Sequence, residues 1–318
     1  MKINFKSIHF SSILNHGTMH VSWNEIYWSA ITAGKKPNFY LKNPKEYIYE
    51  IIHKIFLIKT SLKNNLNYLE KTDLYEGMDP TEKGFTSYFL GMTSTKLFAE
   101  KYMETPYLWD VSNALEAISY LPGNSRPDLI GLSLKNKWIV AEAKGRTNGF
   151  DNTALIKAKN QSRMISTING ALPLYRFGSE SYFNPYLSME LIDPPAEDEA
   201  IDIDFNVDHA LIKYYEIAFF LKEYGRAYED FYIFESNDLN LRIGLPSKII
   251  SIIEQNQNKL NEATLIKVDE INSNRSKDYH FKMKNEIFEF LNSTKISDQS
   301  SNIRSDGFLI EEIEQLYE

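Results

Sequence analysis

The sequence predicts an α/β protein with a mixed central sheet flanked by helices, in the order helix, three strands, helix, strand. A helical N-terminal lobe and an α+β C-terminal region are expected to flank this core. Between residues 79 and 168, a helical pattern is followed by three strand-like stretches and a second helical pattern. In addition, 318 residues that are 43% hydrophobic can bury a sizeable core. We therefore divide the chain into an accessory lobe (1–78), a core (79–207) and a C-terminal α/β extension (208–318).

The N-terminal lobe is predicted to be helical after an irregular start. Asn43 and Pro44 supply a helix cap and a first-turn proline. Apolar residues then recur at helical spacing, at Ile48, Ile51, Ile52, Ile55, Leu62, Leu66 and Leu69. We expect this lobe to be an accessory or dimerisation element.

The core is expected to begin with a helix whose first turn is marked by three residues. Asp79 can cap the helix, Pro80 suits its first position, and Glu82 follows three residues after the cap, as in a capping box. The helix should run to about Tyr102.

Three strands and a second helix are predicted next. Pro106 to Ser112, Leu129 to Leu134 and Trp138 to Ala143 are rich in aromatic and branched residues, which favours strands. The turn at Lys135-Asn136 joins the last two strands into a hairpin. Asn152 to Ile168 combines helix formers with apolar residues at helical spacing, which predicts a helix.

The C-terminal part alternates between helical and strand-like patterns, and we expect it to pack on the core or complete it. An extended and then acidic stretch, broken by Pro194-Pro195, comes before it. The predicted elements are a helix over 208–225, strands over 231–234 and 239–245, a helix over 247–260 and a last segment over 308–318.

Composition excludes several classes of site. The chain contains no cysteine, which excludes disulfides, cysteine-based zinc sites and thiol nucleophiles, and agrees with a cytoplasmic location. Its six histidines are scattered without the spacing of a histidine-built metal site. Charged residues interrupt every apolar run well short of the roughly 20 residues that a membrane helix needs, so no membrane association is expected.

Charge is segregated along the chain. The formal net charge of −8 argues against a protein that coats nucleic acid through bulk electrostatics. However, Arg126 to Arg176 contains nine basic and three acidic residues, a balance of +6, whereas Glu180 to Asp208 contains nine acidic residues and no Lys or Arg. The basic segment is therefore a candidate for contact with phosphates.

The predicted hairpin would bring two carboxylates together at one end of the sheet. Asp128 opens one strand and Glu142 ends the next, and the period of two places Lys144 on the same face as Glu142. Hydrolysis of a phosphodiester needs a cation to offset charge on the phosphoryl group and a water activated near neutral pH. Two carboxylates with the Ala143 carbonyl could hold Mg²⁺, and Lys144 could position or deprotonate the water.

The segments Arg126-Pro127-Asp128 and Trp138-Ile-Val-Ala-Glu142-Ala-Lys144-Gly145 resemble the PD-(D/E)xK motif of the restriction-endonuclease-like nuclease superfamily. The resemblance covers roughly residues 79 to 168. It implies a restriction-endonuclease-like core and Mg²⁺-dependent cleavage of nucleic acid, with DNA expected as substrate and Mn²⁺ expected to substitute for Mg²⁺. It also implies that Asp128, Glu142 and the Ala143 carbonyl are metal ligands and that Lys144 is the catalytic lysine.

Some families of this superfamily add two further residues to the site. One is an acid on the first core helix, and either Glu82 or Glu100 could supply it, because they lie 18 residues apart and hence on one helix face. Glu82 also suits a capping role. The other residue is a glutamine on the helix after the lysine, and the resemblance assigns that catalytic role to Gln161.

Five basic residues are candidates for contact with nucleic acid: Arg126, Arg146, Lys157, Lys159 and Arg163. For the three on the predicted helix after the lysine, a solvated helix face is an equal alternative.

The leading hypothesis is a metal-dependent endonuclease that acts in restriction or phage defence. Its expected partners are DNA, a second copy of the chain to cut both strands of a duplex, or another protein of the defence system. One alternative is a catalytically silent nuclease-like module that binds nucleic acid or a protein partner. Another is an unrelated α/β protein with a chance motif.

Overall fold

The computed structural model describes residues 1–34, 45–111, 126–193, 200–237, 240–266, 282–294 and 302–312. The chain divides into two compact units. The first unit comprises residues 1–36 and 50–205, and the second comprises residues 37–49 and 206–318. The division at 205/206 lies within two residues of the expected boundary between core and C-terminal extension.

The helices and strands of the first 205 residues alternate along the chain. They are β1 (Lys2–Ile8), β2 (His16–His20), α1 (Trp23–Thr32), α2 (Lys45–Ser61), β3 (Leu62–Asn65), β4 (Tyr68–Lys71), α3 (Asp73–Gly77), α4 (Pro80–Met103), β5 (Tyr107–Asp110), β6 (Leu129–Leu132), β7 (Trp138–Gly145), α5 (Asn152–Ser162), β8 (Ile165–Ile168), β9 (Tyr175–Phe183), β10 (Leu187–Ile192) and β11 (Ile201–Ile203).

A nine-stranded mixed sheet forms the centre of the first unit within the described residues. Its order is β3-β4-β1-β10-β9-β7-β6-β5, and β2 pairs with β1. The strands β5, β6 and β7 are antiparallel neighbours, whereas β9 runs parallel to β7 and β1 runs parallel to β10. A separate parallel pair joins β8 to β11.

Helices α4 and α5 cover opposite faces of this sheet. The pairing of β7 with β9 places Ala143 beside Ser179 and Glu142 beside Gly178. The Thr95 hydroxyl of α4 donates to Ser179 Oγ at 3.0 Å, whereas a Cβ added at Gly178 would lie 2.6 Å from the backbone nitrogen of Lys159 in α5. Because successive strand residues face opposite sides, α4 and α5 flank the sheet as expected.

The predicted helical N-terminal lobe is wrong, because residues 1–78 supply four strands to the central sheet. In β1 the odd-numbered residues Ile3, Phe5 and Ser7 are buried and the residues between them are more exposed, which is the alternation of a strand. The predicted helix also continues too far. It ends at Ser61, and 62–71 form the β3–β4 hairpin with positive φ angles at both turn residues, Leu66 and Asn67.

Within the core, the first helix is confirmed and the second is shorter than predicted. Helix α4 begins at Pro80 with the expected capping box between Asp79 and Glu82. Helix α5 ends at Ser162, and Ile165–Ile168 forms β8 instead of a last helical turn. Ile165 and Ile168 are buried, and β-branched residues of this kind suit a strand that pairs with β11.

The second unit contains helices and a four-stranded antiparallel sheet of order β12-β13-β14-β15 within the described residues. The predicted helix over 208–225 is two shorter helices, and an additional helix, α9, was not predicted. The elements are α6 (Val207–Tyr214), α7 (Ile217–Tyr224), β12 (Arg226–Tyr228), β13 (Phe231–Ser236), β14 (Leu241–Pro246), α8 (Ser247–Ile266), α9 (Lys282–Thr294) and β15 (Leu309–Glu312).

The predicted break at Pro194-Pro195 lies outside the described residues. None of the helices in the described ranges combines the length and apolar character needed to cross a membrane.

Candidate active site

Strands β6 and β7 place three predicted site residues on one face of the sheet. Leu129 pairs with Ala141 and Ile130 with Val140, so the same antiparallel register sets Asp128 opposite Glu142. Lys144 lies two residues beyond Glu142 and therefore faces the same side. The side chains of Asp128 and Glu142, here called the acid pair, meet where β6 begins and β7 approaches its end.

Hydrogen bonds fix both carboxylates of the acid pair. The backbone N–H of Asp128 donates to Glu142 Oε2 at 2.7 Å, and the backbone N–H of Ala143 donates to Asp128 Oδ2 at 3.2 Å. Lys144 Nζ donates to the other carboxylate oxygen of Glu142. The acid pair is therefore preorganised by main-chain donors and by one lysine.

The negative charge of the acid pair is larger than the positive charge around it, and burial reduces the compensation that water could provide. Glu142 is 0% exposed, and burial, reinforced by the charge of Asp128, raises the pKa of Glu142 to about 8. Burial also raises the pKa of Asp128, although the charge of Lys144 and the N–H of Ala143 act in the opposite direction. One lysine is thus insufficient to stabilise two ionised carboxylates here, and a further cation would favour their charged forms.

The donors at this position suit a hard divalent cation. Both carboxylates supply oxygen, and the Ala143 carbonyl points to the same side as its N–H, toward Asp128, because both groups of a strand residue face one neighbour. Oxygen ligands of this kind are those that Mg²⁺ and Mn²⁺ prefer. Among the residues that the structure describes, no group of three or more His, Cys, Asp or Glu side chains is arranged to hold a metal. The predicted ligand set, with two carboxylates and a carbonyl, is not a group of that kind.

Two residues near the acid pair were missed by sequence reasoning. Burial first, and then the charges of Asp128, Asp110 and Glu142, raise the pKa of the Tyr88 hydroxyl on α4, so this hydroxyl stays protonated beside the acids. Asp110 ends β5, is buried, and adds to the negative charge that raises the pKa of Asp128. Asp110 could have been identified from the sequence, because it ends the strand that neighbours β6. Tyr88 could not, because no sequence motif surrounds it.

Neither glutamate considered on the first core helix is among the groups that shift the pKa of Asp128 or Glu142. Helix α4 contacts the end of β7 at Gly91, where an added Cβ would lie 2.8 Å from the Gly145 nitrogen. Glu100 is nine residues further along, roughly 13 Å by the rise of an α-helix. Glu82 Oε2 accepts from the Asp79 backbone N–H at 3.1 Å, as its capping role requires. Tyr88, one turn before Gly91, is the α4 side chain whose pKa responds to the acids.

Gln161 contacts the backbone before Asp128. Its Nε2 donates to the carbonyl oxygen of Arg126 at 3.2 Å, which ties α5 to the segment that carries Asp128. The structure therefore gives Gln161 a contact that positions an acid of the pair.

The predicted basic residues belong to three segments: the residues before β6, the residues after β7, and α5 with its C-cap. Arg146 follows β7 and pairs with Asp151, the residue that caps α5. Lys157 is exposed on α5, while Lys159, Arg163 and Arg126 are partly buried. Only Arg126 and Arg146 lie within two residues of the Asp128 and Lys144 positions along the chain.

Glu180 offers a contrast on the neighbouring strand β9. It lies opposite Lys144 in the sheet and is 0% exposed, and burial raises its pKa to about 7. Its Oε1 accepts from the Asp151 backbone N–H at 2.7 Å, and Oε2 is buried without a hydrogen-bond partner in the described part of the chain. Glu180 is thus as fully buried as Glu142, but its carboxylate is hydrogen-bonded to the start of α5.

A cavity of about 320 Å³ lies next to the loop that follows β7, and it is here called the loop cleft. Its lining includes the residue directly after Lys144. It is lined by Gly84, Ser87 and residues 145–149. The α4 backbone lies directly on β7 at its edge, since a Cβ added at Gly145 would lie 1.7 Å from the Ser87 carbonyl oxygen. The hydroxyls of Ser87 and Thr147 are 2.7 Å apart across this edge. Glycine at 145 permits this close approach.

Comparison of the chain with protein-family models, with curated proteins and with solved structures finds no match. The geometry of the acid pair and its surroundings therefore carries the functional argument.

Proposed function

We propose that this chain is a metal-dependent nuclease that hydrolyses phosphodiester bonds of nucleic acid, with DNA as the expected substrate. Asp128, Glu142 and the Ala143 carbonyl would bind Mg²⁺ or Mn²⁺, and Lys144 would be the catalytic lysine. The observation that carries the proposal is a fully buried glutamate beside a partly buried aspartate, with Lys144 as the lysine that bonds the pair within the described residues. Such a pair binds a divalent cation at little cost, because the cation supplies the charge that the protein lacks.

The order of elements around the pair supports the same proposal. Within the central sheet and its flanking helices, α4, the antiparallel strands β5, β6 and β7, helix α5 and the parallel strand β9 follow the order expected from the resemblance to PD-(D/E)xK nucleases, with β8 inserted between α5 and β9 outside that sheet. Asp128 directly precedes the second of these strands and Glu142 lies on the third, which is where that resemblance expects the two acids.

Each residue of the site would have a defined task. When bound, the cation would offset charge on the transferring phosphoryl group and lower the pKa of a coordinated water. Lys144 could orient the attacking water and donate to a non-bridging phosphate oxygen once Glu142 turns to the metal. The protonated hydroxyl of Tyr88 could donate to a second phosphate oxygen. Gln161 would keep Asp128 in place through the Arg126 carbonyl.

We place this activity in the cytoplasm, in restriction or phage defence. Cleavage of both strands of a duplex would require a second active site, which a second copy of the chain would provide.

A cleavage assay with matched variants tests the proposal. Supercoiled plasmid, single-stranded DNA and structured RNA would be incubated with Mg²⁺, Mn²⁺ or EDTA. Glu142→Gln should abolish metal-dependent cleavage, and Glu180→Gln should retain it, because both glutamates are fully buried but only Glu142 belongs to the acid pair. Each variant keeps the side-chain shape, so a thermal melt should show that both remain folded.

Equal cleavage by the two variants would refute the assignment of Glu142. If no substrate is cut with either metal, the nuclease proposal fails. Retained binding of an oligonucleotide would then favour the silent nuclease-like module.

A further inference from the structure

Three exposed aromatic residues directly follow residues that line the loop cleft. Phe85 and Tyr88 on α4 are 54% and 46% exposed, and Phe150, which follows the lining residue Gly149, is 38% exposed. Within the described residues of the first unit, only Phe56 is a further aromatic of comparable exposure, at 49%. Three of these four rings are therefore adjacent in sequence to residues that line one cavity.

Two of the rings belong to the helix that lines the cleft, and the third follows the lining loop 145–149. Phe85 and Tyr88 are three residues apart on a helix, so they are neighbours on the surface of α4. Gly84 and Ser87 of the same helix line the cleft directly. Phe150 directly follows the lining residue Gly149, and its ring lies 5.6 Å from that of Tyr182, which has the same strand parity as Gly178 and therefore faces the α5 side of β9.

The cleft itself is polar. Ser87, Thr147 and Asn148 contribute hydroxyl and amide groups, and among the described residues Arg146 is the only charged side chain in its lining. The guanidinium of Arg146 has five N–H donors, so its pairing with Asp151 leaves donors for another acceptor. The glycines leave main-chain groups accessible. A ligand that suits this surface has flat apolar faces and anionic oxygens.

The cleft lies at the end of β7 that carries the proposed active site. Gly145 lines the cleft on the α4 face of the sheet and directly follows Lys144, which faces the α5 side together with Glu142. A polymer in the cleft would therefore have to pass around the end of β7 to bring a phosphate to Lys144. Bases in a duplex already stack on one another and pair, so their faces are available to protein rings only in an unpaired strand.

We propose that the loop cleft binds an unpaired nucleic-acid strand, with bases stacked on Phe85, Tyr88 and Phe150 and the backbone against Arg146. This inference rests on the proposed nuclease function and assigns single-stranded or locally unpaired nucleic acid as its substrate class. DNA and RNA share this chemistry, and the experiment below separates them.

Fluorescence anisotropy in EDTA measures strand binding without turnover. The probes are fluorescein-labelled oligodeoxythymidylate, oligouridylate, an abasic strand of equal length and a fully paired duplex. Phe85→Leu and Phe150→Leu should each weaken binding of the base-bearing strand about tenfold, because each removes one stacking surface. The control Phe56→Leu should bind as the unchanged protein does, and the abasic strand should not respond to any of the three changes.

Tighter binding of oligodeoxythymidylate would assign DNA to the cleft, and tighter binding of oligouridylate would assign RNA. Duplex binding that is as tight as strand binding, or unchanged strand binding in both cleft variants, would overturn the inference. Equal melting temperatures of the variants would exclude a loss of folding as the cause.

The inference and the proposed function can fail separately. If the protein cuts nucleic acid with Mg²⁺ but the leucine variants cut unpaired strands at an unchanged rate, the cleft assignment fails and the nuclease remains. If ring-dependent strand binding occurs without cleavage under either metal, the nuclease fails and the cleft remains a strand-binding site.

Discussion

In the first unit, the acid pair places a fully buried and a partly buried carboxylate against one lysine, whereas the second unit sets Glu235 and Glu311 between two arginines. Arg242 Nε and Nη1 bond Glu235 and Glu311 at 2.6 Å each, and Arg226 bonds Glu235 at 2.6 Å. This second group, here called the arginine network, has two cations for two anions. Its side chains are also partly exposed, at 25% for Glu235 and 33% for Arg242.

Opposite pKa shifts follow from this difference. The hydrogen bond from Arg242, reinforced by the charges of Arg242 and Arg226, lowers the pKa of Glu235. Burial raises the pKa of Glu142 to about 8. A glutamate beside a cation is therefore either stabilised in its charged form or destabilised, depending on burial and local charge balance. The charges of the arginine network balance, so they contribute to the stability of the fold. The charges of the acid pair do not balance, which favours the binding of a further cation.

The largest expected effect is on the cleavage rate, which should depend on the acid pair with Lys144 and not on the arginine network. Lys144→Met should lower the cleavage rate by about a thousandfold, the usual range for loss of a residue that moves or orients a proton. Arg242→Met should leave that rate unchanged and lower the free energy of unfolding. Cleavage rates and urea denaturation of both variants measure this. If Arg242→Met loses activity as strongly, the division of roles between the two groups is wrong.

The second effect is a pH dependence of stability in EDTA. Burial raises the folded pKa of Glu142 from 4.5 to about 8, so its contribution to stability is complete below pH 4.5 and lost as pH rises through 8. The loss should be roughly 2 to 4 kcal/mol. Glu142→Gln, which cannot ionise, should show a smaller decline over this range.

Urea denaturation at several pH values compares the two proteins. Parallel stability curves for wild type and Glu142→Gln would mean that Glu142 titrates alike in the folded and unfolded states, and the contrast with Glu235 would disappear.

The third effect is stabilisation by metal. At a Mg²⁺ concentration about 100-fold above the dissociation constant, binding to the folded state should add about 2.7 kcal/mol. The gain should increase with pH because the ligands must be deprotonated, which opposes the decline in EDTA. A thermal melt with and without Mg²⁺ measures it, and Asp128→Asn should lose most of the shift. A shift of equal size in Asp128→Asn would place the metal elsewhere.

Features set by neighbouring residues could be predicted from the sequence. The start of α4 depends on contacts within its first turn, between Asp79 and Glu82. The hairpin of β6 and β7 depends on a short turn and on alternation, and these set Asp128 opposite Glu142. For these reasons the placement of Asp128, Glu142 and Lys144 on one face of the sheet could be predicted from the sequence.

Features that depend on distant segments could not be predicted. Strand β1 pairs with β10, more than 180 residues later, and nothing near Lys2–Ile8 specifies that partner. The apolar spacing around Ile165 fits a helix or a strand, and pairing with β11 decides between them. Tyr88 and Asp110 approach the acid pair only through packing of α4 and β5.

The smallest expected effect belongs to the arginine network. Because Arg242 and Arg226 lower the folded pKa of Glu235, its contribution to stability is present above the unfolded value of 4.5 and is lost as pH falls through the lowered value. Solvent screening limits a partly exposed network of this kind to about 1 kcal/mol. Glu235→Gln should therefore be less stable than wild type by that amount at neutral pH, and the gap should close as pH falls through the lowered pKa of Glu235. Urea denaturation over a series of pH values from neutral to acid measures the gap. A gap that persists in acid would show that Glu235 acts through packing, and the contrast between compensated and uncompensated carboxylates would then rest on Glu142 alone.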